Sequence, residues 1–167
     1  MNRQRDALLT LVTMALVGVV AGVLWSQLAD PVVATRTAEG IGSGEADLAK
    51  QVSADGWFAV IGFGGCLLAG AVLTVWRRAD EVVTLVALVA GAVLAAWVCS
   101  HVGALLGPDP ATETLADAAV GKTAEDQLQV HSWVVYLAWP FGAVLGSLLV
   151  LLGLPGSGRP AGRTVVQ

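Results

Sequence analysis

The sequence predicts an all-α membrane protein, a bundle of four transmembrane helices, on three observations. The 167-residue chain is 56% hydrophobic and only 13% charged, against about 25% charged residues in a soluble domain, and its mean hydropathy is +0.73. Four apolar runs, residues 7–28, 56–76, 82–106 and 130–154, contain no Asp, Glu, Lys or Arg. Each is long enough to cross a hydrocarbon core of about 30 Å as a helix. The charged residues fall between these runs, which leaves one domain over residues 1–154 and a Gly/Pro-rich tail, residues 155–167, expected to be a disordered cytoplasmic segment.

The first span follows Arg3 and Arg5 and ends before Asp30-Pro31. It exceeds the usual signal-peptide apolar region of about 7 to 15 residues, so the reading favours a retained helix over a cleaved leader. Gly18 and Gly22 form a GxxxG pair along it, the spacing that lets two helix backbones approach closely. Residues 35–44 are rich in Gly, Ser and Thr and read as a flexible loop, and residues 45–52 as a short surface helix.

The second span carries Gly62, Cys66 and Gly70 at four-residue spacing. Its Gly64-Gly65 pair reads most simply as close packing, with an unwound point along a transport path as the sharper alternative. Arg77 and Arg78 form a short turn, with Asp80 placed to cap the third span. Ala87, Gly91, Ala95, Cys99 and Gly103 make a small-residue ladder along that span, while Trp97 and His101 share a different face. His101 is expected to donate to a backbone carbonyl or to Ser26 or Gln27.

Pro108-Asp109-Pro110 ends the third span. Thr123 followed by Ala124-Glu125-Asp126 resembles a capping box, which predicts that the fourth helix begins there, above the membrane. Gly142 and Gly146 give it a second GxxxG pair, and Pro140 is expected to kink it. Trp25, Trp57 and Trp133 fall near the outer ends of their spans, as an aromatic belt requires. An offset of 76 residues aligns Trp57 with Trp133 and Gly70 with Gly146, the pattern of two tandem hairpins of one orientation. Chance matching in Ala/Val/Gly-rich helices stays open as the alternative.

Sidedness follows from the charges. The two longer loops hold ten of the thirteen acidic residues and three of the nine Lys and Arg, whereas Arg3, Arg5, Arg77, Arg78, Arg159 and Arg163 lie on the other side. The positive-inside rule therefore predicts a multi-pass protein of the cell membrane with both termini cytoplasmic.

The segment Ala54-Asp55-Gly56-Trp57-Phe58, followed by Gly62, Gly65 and Gly70 and later by Trp139-Pro140, resembles an actinobacterial family of small four-helix integral membrane proteins of unknown function. The resemblance spans most of the chain and implies architecture, with no activity and no site residues to carry over.

For function, the small-residue positions favour a non-catalytic subunit or scaffold that binds other transmembrane helices, with the lipid bilayer and a membrane-protein partner or a second copy as its contacts. A small homo-oligomeric channel or carrier is the alternative, drawn from the glycines of the second span and the acidic loops. An enzyme is disfavoured: the sequence has no HExxH, P-loop or GxSxG, and Gly42-Ser43-Gly44 lacks a strand-to-helix setting. No catalytic residue, metal site, cofactor or nucleic-acid partner is expected. The candidate polar site is His101, His131 and Asp55.

Overall fold

The computed structural model describes residues 3–76 and 81–153. Four of its helices are long and apolar enough to cross a membrane. Helix α1 (Arg3–Leu28) closes with the Ala29 N–H on the Trp25 carbonyl at 2.9 Å, just ahead of Pro31. The chain then forms β1 (Val33–Arg36) and β2 (Ile41–Ser43), an antiparallel pair with Ala34 opposite Ser43 and Arg36 opposite Ile41. This hairpin replaces the flexible loop expected over residues 35–44. Its β-branched residues favour extended backbone, and Gly40, at φ +150°, makes the turn, with the Thr37 N–H and hydroxyl both on its carbonyl.

Helix α2 (Glu45–Trp76) is a single 32-residue helix. The expected surface helix is its first part, and no unwinding occurs at Gly64-Gly65. Its start is fixed by a reciprocal cap: the Asp47 N–H donates to the Gly44 carbonyl at 3.0 Å, and the Gly44 N–H donates to Asp47 Oδ2 at 3.1 Å. Helix α3 (Glu81–Leu106) ends with the Gly107 N–H on the Gly103 carbonyl, before Pro108. The expected Asp80 cap, the Arg77-Arg78 turn and the 155–167 tail lie outside the described residues.

The segment after α3 departs most from expectation. A single turn, α4 (Ala111–Thr114), precedes β3 (Thr123–Glu125), which pairs antiparallel with β1 and gives the sheet order β2-β1-β3. Thr123-Ala124-Glu125 is thus a strand and not a helix start. Ala34, Ala111 and Leu115 form a small core beneath the sheet, with Ile41, Ala118 and Ala124 packed against it. The last helix begins only after a 3-10 turn (Trp133–Leu137), as α5 (Ala138–Gly153). Pro140 therefore stands in the first turn of α5 instead of kinking a longer helix. The first four N–H groups of a helix have no intrahelical partner, so a residue without one is tolerated there.

The most extensive helix contacts join α1 to α3 and α2 to α5; α1 to α2 and α3 to α5 complete the bundle, while the consecutive helices α2 and α3 barely touch. Both dominant pairs run parallel, since contacts rise together along each sequence. Gly18 lies against Ala95 and Gly22 against Cys99; Gly70 lies against Ala143 and Gly146 against Leu67. The last two contacts are reciprocal at an offset of 76, as in a symmetric parallel helix dimer.

The core between the pairs is filled. Trp25, Phe58, Trp139, Met14 and Leu88 are fully buried, and the Phe58 ring lies 5.4 Å from Trp25, 5.2 Å from Trp139 and 5.1 Å from Tyr136. Trp25, expected in an interfacial belt, is instead a core residue, because Gly103 leaves room for its ring. Trp57 and Trp133 are exposed.

Two glycine substitutions should act with opposite sign. A β-carbon at Gly146 would meet the Leu67 backbone, with the Leu67 carbonyl carbon at 2.9 Å, whereas one at Gly64 meets nothing within 4 Å. Gly146→Ala should cost about 1–3 kcal/mol by forcing the backbones apart, and Gly64→Ala should be neutral or stabilising by up to about 1 kcal/mol. Thermal unfolding in detergent checks both; an equal loss in the two variants would contradict the packing assignment.

Candidate functional site

The glycines of the GxxxG pairs and of the four-residue ladders lie against neighbouring helices of the same chain. A β-carbon at Gly18 would lie 2.5 Å from the Ala95 carbonyl oxygen, at Gly22 2.9 Å from the Cys99 carbonyl oxygen, and at Gly91 2.7 Å from Met14 Cγ. Gly103 faces the Trp25 ring, Gly62 faces the Trp139 ring, Gly70 the Ala143 backbone, and Gly142 the Phe63 backbone. Cys66 and Cys99 are free, fully buried thiols of the same core. Across α2 and α5 the hydroxyls of Thr74 and Ser147 meet at 2.9 Å. The Trp139 indole N–H is buried against Gly62 without a hydrogen-bond partner.

Of the candidate polar residues, Asp55 and His131 come together through the main chain. Asp55 is 8% exposed and sits on α2, where its Oδ1 accepts the His131 N–H at 3.0 Å and its Oδ2 the Ser132 N–H at 2.9 Å. The residues before the 3-10 turn have no regular secondary structure to satisfy these amides, and a buried N–H left unpaired is costly. The carboxylate supplies both acceptors. The His131 side chain is exposed.

His101 takes no part in this arrangement. It is exposed on α3, its ring centroid 4.0 Å from that of Trp97 with the planes tilted by 37°, and its Nδ1 lies 2.9 Å from the Trp97 carbonyl oxygen. Its partner is therefore a carbonyl of its own helix, one turn back, and neither Ser26 nor Gln27. Ser26 donates to the Val23 carbonyl instead. The three residues do not form one acid/base cluster.

Two further carboxylates do what Asp55 does. Besides capping Gly44, Asp47 accepts the Val33 N–H at 3.4 Å and pairs with Lys50 at 3.6 Å. Asp126 Oδ1 accepts the Ala111 and Gln127 N–H groups, both at 2.9 Å, and so holds the start of α4 against β3. In the sequence Asp47 reads only as part of an acidic loop and Asp126 as part of a capping-box pattern, while Asp55 stands out as a candidate polar residue beside His101 and His131. Each binds two backbone N–H groups, a contact that depends on distant chain segments. Among the described residues no group of three or more His, Cys, Asp or Glu is placed to hold a metal ion.

A groove on the outer surface of the bundle, about 580 Å³ in volume, is lined by Val89 of α3, Leu137, and Ala138, Pro140, Phe141 and Val144 of α5. It lies where the late start of α5 leaves its first turn loosely covered by α3. Its walls are apolar throughout.

Asp55→Ala should leave two amides without an acceptor. At about 1.5–3 kcal/mol for each hydrogen bond to a charged group, the variant should lose most of the protection of the His131 and Ser132 amides against hydrogen exchange. Asp55→Asn, which keeps one carbonyl acceptor, should lose less. Unchanged exchange in Asp55→Ala would refute the bridging role. Comparison of the chain with family models, curated proteins and solved structures finds no match.

Proposed function

We propose that this chain is a multi-pass membrane scaffold made of two tandem hairpins, with the three-stranded sheet outside, both termini in the cytoplasm and no catalytic role of its own. The observation that carries the proposal is how the chain uses its polar and small residues. Asp47, Asp55 and Asp126 are engaged with backbone N–H groups, and the glycine seams are closed by the chain's own helices. Such a molecule offers a stiff body whose free surfaces are the apolar flanks and the outer sheet. Partners therefore meet flanks and sheet, while the glycine faces serve the internal fold.

The filled core speaks against a solute path through a single copy, since Trp25, Phe58, Trp139 and Leu88 occupy the space between the helix pairs. The tandem-hairpin arrangement is supported by the reciprocal contacts at an offset of 76. Sidedness is supported by the acidic character of the segments that build the sheet and its cover.

Intact mass measurement of the tagged protein, extracted from its native membrane in mild detergent, should find a second protein in fixed stoichiometry. Proteoliposomes of the purified chain should hold solute flux at background. Flux or turnover by the chain alone would overturn the scaffold proposal. Independently, Ser43→Cys, on the exposed strand β2, should react with a membrane-impermeant maleimide on intact cells; labelling only after lysis would reverse the orientation.

A further inference from the structure

On the membrane-spanning proposal above, α2 is too long for the membrane it crosses. Its 32 residues measure about 48 Å, against a hydrocarbon core of about 30 Å. Counted upward from Trp76, which the sequence follows with Arg77 and Arg78, about 20 residues fill that core and bring the helix out near Gly56. Residues 45–55 then stand in water, above the reach of lipid chains.

Side chains four residues apart share a helix face, and Leu48, Val52, Gly56 and Val60 form such a row across this boundary. Leu48 is 57% exposed, Val52 73% and Val60 64%, and a β-carbon at Gly56 would meet nothing within 4 Å. Ala49 and Ser53 beside the row are exposed too. From residue 48 to 60 the charges are turned elsewhere: Lys50 pairs with Asp47, and Asp55 is buried on the His131 and Ser132 amides. The nearest exposed charge on the face is Glu45, one turn above at the helix start. The outer face of α1, by contrast, presents Leu8, Val12, Leu16 and Val20, bulky residues within the hydrocarbon that lipid chains cover. On α2 the apolar row runs on past the lipid, and its small residues let another backbone come close.

A helix seated on this row must leave the membrane at the same height and continue for two or three turns with an uncharged, apolar face. The α2 helix of a second copy meets both conditions. All copies insert with one orientation, so a twofold axis along the membrane normal sets row against row at equal depth. Charge favours the same occupant. The outer loops hold ten of the thirteen acidic residues and three of the nine Lys and Arg, so two copies meeting elsewhere on that side bring carboxylates together, which is costly. This face brings none together below Glu45, and it offers a charged partner no counter-charge. We infer that two copies of the chain associate through the outer part of α2, side by side and parallel, with Leu48, Val52 and Gly56 of each against those of the other.

The test uses the full chain in the membranes of the cells that make it, washed with alkaline carbonate, treated with a short bis-maleimide and weighed intact. Cys66 and Cys99 are buried, so the wild type should stay at the mass of one chain. Val52→Cys should yield a product of two chains, and Val120→Cys, 67% exposed on the segment before β3, should not. Added to Val52→Cys, Gly56→Leu puts bulk at the point of closest approach and Leu48→Glu opposes two carboxylates; each should lower the two-chain yield about tenfold. Both positions are open within one copy, so neither change disturbs its fold. A chain released by carbonate overturns the spanning proposal and the dimer together. A retained chain overturns the dimer alone if Val52→Cys gives no two-chain product, links to a different protein instead, links no better than Val120→Cys, or keeps its yield in both added variants.

Discussion

The structure turns on two consecutive residues of α2. The Ala54 carbonyl accepts the Trp25 indole N–H at 2.8 Å, which ties down the end of α1, and Asp55 next to it accepts two N–H groups from the segment that leads into α5. Trp25, buried by this bond, packs edge-on against Phe58 one turn further along α2. Two separate parts of the chain, the end of α1 and the segment before α5, are thereby held at one level of α2. A carboxylate buried at 8% exposure is stable there because both of its oxygens are used. The late start of α5 and the groove beside it follow from the same tether, which keeps residues 131 and 132 off the helical path.

Below that level the bundle is held by backbone proximity. Glycine opposite a carbonyl, as at Gly18 with Ala95 and Gly146 with Leu67, brings main chains close enough for dispersion contacts that larger side chains would prevent. The two such seams are parallel, and each joins a helix of the first hairpin to its counterpart in the second. Parallel neighbours cannot be joined by a short turn, so α1 reaches α3 only by way of α2, and α2 reaches α5 only by way of α3. Chain neighbours α2 and α3 hardly touch, while α1 and α3 pack along their lengths.

Four long apolar helices were legible in the sequence because hydropathy over some twenty residues is a strong signal, and their ends at Pro31 and Pro108 followed from local chemistry. What was not legible depended on distant partners. Residues 35–44 have the composition of a loop, and β1 is fixed by pairing with both β2 and β3, the latter some ninety positions away. Thr123 has the look of a cap, but its segment is claimed by β1. Pro140 has the look of a kink when the helix is assumed to start at residue 124, and is unremarkable once it starts at 138. Asp55 and His131 were singled out together as titratable groups; the contact that joins them is a main-chain amide, which no residue type announces.

The unbroken course of α2 has a mechanical consequence. At 32 residues it is about 48 Å long, longer than a hydrocarbon core, and its first turn is clamped to the sheet through Asp47 while its far end reaches Trp76. With no break at the paired glycines, it behaves as a rod: a force that tilts the sheet swings the opposite end of the helix by a comparable amount. The two ends of α2 therefore keep a fixed relation to each other along an unbroken helix.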